Sequence, residues 1–346
     1  MTTAKRRRAA SYFERLTNGW GSFWFSVEPA YTLGFVRMAF GALMVYVTLD
    51  LLPGMPILFS TSGPVPAQPT ADDFSWVDAF QFGIFQIWTS DTAVLIAWVL
   101  LLLSAVSLTL GWHSQVSALL VWILFLSFLR RNPMIMYAGD QVMTNTALIL
   151  AISGCGAALS LDQRRRNGRF WSAEERIRWP IRLMQVQLSL IYFFSAQTKF
   201  VGEAWNDGTA ASYPWRVYRD WAILPAPQWL AENAYLVNVA TWGTMAIELS
   251  LAILVWNRRC RYWVLAAGVV LHTLIWLNMS VMFFGLAMFI LYLAWVPWQA
   301  VQNMPDRVKH ALGKRLKRIP PQPDESFDDS EKTSRSETIQ PETTTT

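Results

Sequence analysis

The sequence predicts an all-α fold: a polytopic helical membrane protein with about eight transmembrane helices. Three observations predict it. Hydrophobic residues make up 53% of the 346 positions and charged residues only 15%, against about 25% charge in soluble domains, which excludes a soluble globular enzyme. The charges gather into short basic clusters between long apolar runs, as they do in the connections between membrane spans. The 19 Trp, 20 Phe and 10 Tyr suit helix ends at headgroup level, where an amphipathic ring is favoured.

In chain order, apolar windows near the ~20 residues that cross hydrocarbon fall at 32–51, 92–110, 115–129, 141–160, 180–200, 236–256, 262–279 and 282–298. Only Asn278 to Val281 separates the last two, so a tight helical hairpin is required there. Residues 1–31 form a basic tail. Its Lys5 to Arg8 run is followed by Glu14 and Arg15 rather than an apolar core, so no cleavable signal peptide is expected. Phe13, Leu16 and Trp20 share one face of a helix lying in the interface. Residues 32–300 form the transmembrane domain. Residues 301–318 form a basic juxtamembrane helix with Val308, Leu312 and Leu316 on one face, and membrane lipid, anionic above all, is the expected partner of both basic helices. Residues 319–346 are rich in Pro, Ser, Thr and Glu, bury too little to offset ordering entropy, and are expected to be disordered.

Orientation follows from the basic residues, which are retained in the cytoplasm when they flank spans. The N-terminal tail holds Lys5, Arg6, Arg7, Arg8 and Arg15. The fourth connection holds Arg164, Arg165, Arg166, Arg169, Arg176 and Arg178, with Arg182 just inside the next helix, and the sixth holds Arg258, Arg259 and Arg261. With the C-terminal tail, these place 23 of the 29 basic residues on one side, so both termini are expected to be cytoplasmic. The exceptions are Arg37 and Lys199 in apolar segments, and Arg130, Arg131, Arg216 and Arg219 on the far side. Cys155 and Cys260 are far apart, and no disulfide framework is expected.

The fifth span carries the most informative pattern. Gln185, Ser189, Tyr192, Ser195 and Lys199 are spaced by four, three, three and four residues, one face of a helix. Lipid-facing helices lack such a stripe, so this face should look into the bundle or a water-filled cavity, with Lys199 at its outer end. Two readings of Lys199 stand side by side: an amine snorkelling to the headgroups, or a desolvated amine able to remove a proton from an acidic organic substrate. The loop after it, through Trp205, Asp207 and Gly208 to Trp229, is rich in aromatics and reads as an interfacial element or as a lid over a lipidic ligand. Arg130 and Arg131 suit carboxylate or phosphate ligands; contact with Asp50, Asp140 or lipid phosphate is the plainer reading. Asp140 itself stands where a helix N-cap would. Arg37 and Glu248 differ in depth by roughly 4.5 Å at 1.5 Å per residue, so they are expected to form a structural ion pair, neither being tolerable alone in a membrane. His272 reads as a hydrogen-bonded packing residue. With three His in the chain no metal site is expected, and the basic clusters follow membrane topology rather than forming a nucleic-acid face.

Leu33-Gly-Phe-Val-Arg37-Met-Ala-Phe-Gly41, the run Ile191 to Lys199 followed by Trp205-x-Asp207-Gly208, and His272 in a late helix resemble the HTTM membrane domain shared by vitamin K-dependent gamma-carboxylases and their bacterial relatives, over roughly residues 30–300. The resemblance implies a bacterial cytoplasmic (inner) membrane location. It also implies a role for Lys199, because a Lys at the matching carboxylase position is associated with deprotonating vitamin K hydroquinone. A quinone or hydroquinone, menaquinone for example, is the cofactor class implied, and an exported peptide or protein the implied substrate. The chain departs from the carboxylases at two points. No His occurs at Asn132-Pro133-Met134, and a short polar tail stands where they have a large lumenal region.

Two functions follow as expectations. In the first, Lys199 is the catalytic base on a quinone-like or lipidic substrate in an outward-facing cavity, with Arg130, Arg131, Asp140, Tyr192, Trp205 and Asp207 as substrate contacts. In the second, the protein is a non-enzymatic accessory to maturation or export of a peptide or lipid. Intramembrane ionisable residues are few and no repeat relates the two halves, which sets a transporter aside.

Overall fold

The computed structural model describes residues 3–63, 83–132 and 135–316; the tail expected to be disordered lies outside the described residues, as do Pro133 and Met134. A basic helix, α1 (Thr3–Phe25), leads into the strand β1 (Val27–Pro29) and then α2 (Tyr31–Leu51) and the short α3 (Met55–Leu58). The helices α4 (Asp91–Leu110), α5 (Ser114–Arg131) and α6 (Ala138–Ile152) follow, then α7 (Leu161–Asn167) and β2 (Glu175–Ile177), which pairs antiparallel with β1. The second half has α8 (Trp179–Val201), three short helices α9 (Glu203–Asn206), α10 (Ser212–Val217) and α11 (Gln228–Glu232), then α12 (Ala234–Ile253), α13 (Arg261–Met279), α14 (Met282–Leu293) and α15 (Trp298–Gln302). The described residues from Asn303 onward, chiefly α16 (Met304–Leu316), belong to a separate unit.

Among the described residues, five helices are long and apolar enough to cross a membrane: Tyr31–Leu51, Asp91–Leu110, Ser114–Arg131, Ala234–Trp256 and Arg261–Met279. The outward face of α4 presents Leu95, Ile96, Val99, Leu100 and Leu103, all more than two-fifths exposed. A soluble monomer rarely leaves so continuous an apolar face in water, whereas lipid is its natural solvent. α2 packs on α4, α4 on α5, and α5 on α6; α8 packs on α12, and α12 on α13; α14 touches both groups through α2, α6, α8 and α13. Val36, Phe40, Leu101, Phe125, Met143, Leu150, Met184 and Leu188 form its closed core.

Helix ends obey local chemistry. Ser90 caps α4 by accepting from the Ala93 N–H at 3.3 Å, and Asn233 caps α12 by accepting from the Leu236 N–H at 3.1 Å, each satisfying an orphan donor. Asp162 caps α5 from a distance, accepting the His113 and Ser114 N–H groups at 2.8 Å each and the Ser114 hydroxyl at 2.7 Å. Burial disfavours this carboxylate, but those three donors outweigh it and hold its pKa below the usual range. The hairpin expected between the last two windows is present: α13 ends at Met279, Ser280 turns through the left-handed region at φ 56°, and α14 starts at Met282.

Two windows are shorter than expected. The fourth stops at Ile152 instead of 160, because Gly154 adopts φ 67° and the chain turns through Cys155–Ala157 into the Ser160 cap of α7. The last stops at Leu293, four residues before Pro297, instead of at 298. The third is longer and runs through Arg131, so Arg130 and Arg131 occupy the last turn of α5 rather than a loop. In α1, Leu16 and Trp20 are exposed; the Phe13 side chain lies outside what is described.

Candidate functional site

The polar stripe of α8 meets α12, α13 and α14, while Leu190, Phe193 and Phe194 occupy the exposed face. Gln185 Nε2 donates to the Ala294 carbonyl at 2.7 Å. Ser189 Oγ accepts from the Trp256 indole at 2.8 Å. The Tyr192 hydroxyl lies 2.6 Å from His272 Nε2 and 2.5 Å from the Tyr292 hydroxyl. At the end of the stripe, Lys199 Nζ donates to Ser195 Oγ at 2.7 Å and sits 3.0 and 2.9 Å from the two carboxylate oxygens of Glu248. The Lys199 and Glu248 side chains are only 17% and 9% exposed, so the pair is largely shut off from its surroundings. Among the described residues, His272 Nδ1 has no hydrogen-bond partner although His272 is buried.

The loop after α8 covers this pair. The Trp205 ring centroid stands 5.0 Å from Lys199 Nζ, within cation–π range. The Trp205 carbonyl accepts from the Trp242 indole at 3.2 Å, and Asn238 Nδ2 donates to the carbonyls of Asp207 at 3.3 Å and Gly208 at 2.9 Å, so α12 holds the loop in place. Gly208 makes the turn at φ 75°, where a side chain would be strained. Asp207 contributes through its backbone; its side chain is exposed.

The structure corrects the expected partner of Glu248. Arg37, fully buried, donates through Nη1 to the carbonyls of Leu108 and Thr109, the latter at 3.1 Å, and through Nη2 to Leu159 at 2.5 Å. α2 packs on α4 and α14 whereas α12 packs on α8 and α13; matched depth does not make two helices neighbours, and Glu248 faces Lys199. The expected enclosure of Lys199 by Arg130, Arg131 and Asp140 also takes a different form. Arg131 is buried, donating to the carbonyls of Phe59 at 2.7 Å and Thr89 at 3.0 Å, with its guanidinium 5.1 Å from the Phe85 ring centroid. Asp140 accepts from the Tyr137 N–H at 3.0 Å as part of a capping box on α6, the plainer reading of that residue. Arg130 is half-buried in the last turn of α5. Among the described contacts of Arg131 and Asp140, none reaches Lys199.

Tyr292 is the site residue that sequence reasoning missed. Its signal was faint: a phenol inside a short apolar helix, opposite Gly268 on α13. A Cβ at Gly268 would overlap the Tyr292 hydroxyl, so Gly268→Ala is expected to destabilise the protein by about 1–3 kcal/mol through overpacking. Thermal unfolding of the purified protein checks this. Adding Tyr292→Phe, which removes the obstructing oxygen, should recover part of the loss, and failure to do so would place the strain elsewhere.

An apolar helical bundle with five helices able to cross a membrane, and a shielded lysine–glutamate pair between α8 and α12, defines a class, the polytopic membrane proteins. The HTTM domain family model matches residues 25–298, most of the chain. The chain therefore belongs to the HTTM domain family. Comparison with curated proteins and with solved structures finds no match.

Proposed function

We propose that the protein is a membrane enzyme in which Lys199 takes a proton from an acidic hydroxyl of a quinol-like or lipidic substrate, with the basic ends of the helices and both termini on the cytoplasmic side and eight passes through the bilayer. The observation that carries this reading is the Lys199–Glu248 pair at 2.9 Å inside an apolar bundle. An intramembrane ionisable pair is costly to keep and by default marks a functional site. A substrate O–H proton passes to the free-amine form of Nζ, and the ammonium so formed lies beside the Glu248 carboxylate, whose oxygens stand 3.0 and 2.9 Å from Nζ. Tyr192, Tyr292 and His272 supply a hydrogen-bonded surface next to that pair, and Trp205 covers it. The resemblance of the Lys199 segment to the carboxylase membrane domain supports a hydroquinone as the first substrate class to examine.

Lys199→Arg tests the reading, because Arg keeps the charge and the ion pair but cannot serve as a neutral base. With purified protein in lipid nanodiscs and a menaquinol or vitamin K hydroquinone as probe, the wild type is expected to bind the probe and accelerate its oxidation by added dioxygen, which proceeds through the deprotonated hydroquinone, and Lys199→Arg to bind but lose at least ~100-fold of that rate, the contribution of a positioned base. Equal rates in the two proteins would defeat the enzymatic reading and favour the accessory role, in which the pair only holds α8 against α12.

A further inference from the structure

At the basic end of the bundle, a cavity of about 710 Å³ lies between the end of α1, the first turn of α8, the turn before α13 and the end of α14. Four arginines line it, Arg178, Arg182, Arg258 and Arg261, against a single carboxylate, Glu28. Arg178 Nε is 3.5 Å from Glu28 Oε2. Burial pushes the Glu28 carboxyl above its ordinary value in spite of Arg178 and Arg182, and one carboxylate faces four guanidiniums. Two of the arginines are held in place by the fold. Arg182 donates to the Phe23 carbonyl at 3.2 Å and to Gln185 at 2.8 Å, with its guanidinium 4.3 Å from the Phe23 ring centroid. Arg261 donates to the Val255 carbonyl at 3.0 Å and lies 4.9 Å from the Trp295 ring centroid.

The cavity therefore holds more donors than acceptors. Arg258, an exposed side chain at its rim, makes no hydrogen bond with an acceptor among the described residues. Trp295, only 3% exposed, also lines the cavity, and its indole N–H has no partner there either. Four like charges facing one concave space repel one another unless an anion sits among them. The ligand that answers this set is small, multiply charged and rich in acceptor oxygens, for which guanidinium forks are suited. We propose that this cavity is a phosphate-binding site, with Arg178, Arg182, Arg258, Arg261 and the Trp295 indole as its donors. The phosphate can belong to the headgroup of an anionic lipid or to a free phosphate ion. Basic pockets at the cytoplasmic ends of helices commonly hold such headgroups.

Native mass spectrometry of the full-length protein in detergent separates the sources, with phosphatidate, phosphatidylcholine and inorganic phosphate as probes. Arg258→Gln removes a lining charge that has no structural bond to lose, and Arg259→Gln removes an equally exposed neighbouring charge that does not line the cavity. Phosphatidate is expected to be retained in preference to phosphatidylcholine. Arg258→Gln should weaken that retention about tenfold, as for one charge-assisted hydrogen bond, and Arg259→Gln by less than about twofold, as for a surface charge outside the cavity. Retention of inorganic phosphate with the same dependence on Arg258 would support the site with a soluble source. Equal weakening by the two variants, or no preference for either net-anionic probe, phosphatidate or inorganic phosphate, over zwitterionic phosphatidylcholine, would overturn the proposal.

Discussion

Replacing Arg37 with Met is expected to destabilise the protein by about 3–5 kcal/mol, among the largest effects of any single substitution in the chain. The side chain is fully buried, and its guanidinium serves the carbonyls of Leu108, Thr109 and Leu159. Two of those carbonyls belong to the last turn of α4, whose final C=O groups have no partner within the helix, and that end carries the negative pole of the helix dipole. Removing the donor leaves the buried Leu159 carbonyl and the part-buried Thr109 carbonyl unsatisfied at about 1–3 kcal/mol each, and Leu108 with only the Gly111 N–H. Met fills much of the same volume, so the loss reports the hydrogen bonds rather than a cavity. Arg37→Lys keeps the charge but has no fork to span two chain segments, and should recover only part of the stability. Unfolding of the detergent-purified protein by heat or denaturant measures both; a change below ~1 kcal/mol in Arg37→Met would show that the carbonyls find other partners.

Glu248→Leu should be nearly as damaging, at about 3–5 kcal/mol, because it strands the Lys199 ammonium in the bundle with only Ser195 and the Trp205 ring beside it. The informative variant is the double one. Lys199→Met combined with Glu248→Leu removes both charges, and replacing a buried pair by apolar side chains is often neutral or stabilising. The double variant is therefore expected to be more stable than Glu248→Leu alone while having lost the proton chemistry proposed for Lys199. Losses that simply add would mean that the two residues are not coupled, and retained activity in the double variant would separate the pair from function altogether.

How much of this was legible in advance can be argued residue by residue. The stripe from Gln185 to Lys199 was legible because helical periodicity places residues three and four apart on one face whatever surrounds them. The hairpin at Ser280 was legible because two apolar runs with four residues between them leave no other route. A glutamate at Glu248's position in an apolar run needs a partner, but depth along the helix points to Arg37 whereas the fold supplies Lys199. Arg130 and Arg131 were expected as ligands to a substrate, yet Arg131 is committed to the carbonyls of Phe59 and Thr89. Tyr292 and the convergence of Arg178, Arg182, Arg258 and Arg261 on one cavity were not legible, since no spacing relates those positions.

By itself the sequence determined that this is an α-helical membrane protein, where its apolar segments lie, which connections are basic and how residues are spaced along each helix. Those properties are local sums over consecutive residues, and depth grows linearly along a helix at ~1.5 Å per residue. Only the tertiary structure decided which helices are neighbours and so which side chains meet. The position of a helix around a bundle is set by the packing of many apolar surfaces at once, and no local window contains it. Arg37 and Glu248, matched in depth and separated in azimuth, are the clearest case: the fold gave one of them a set of helix-end carbonyls and the other a lysine.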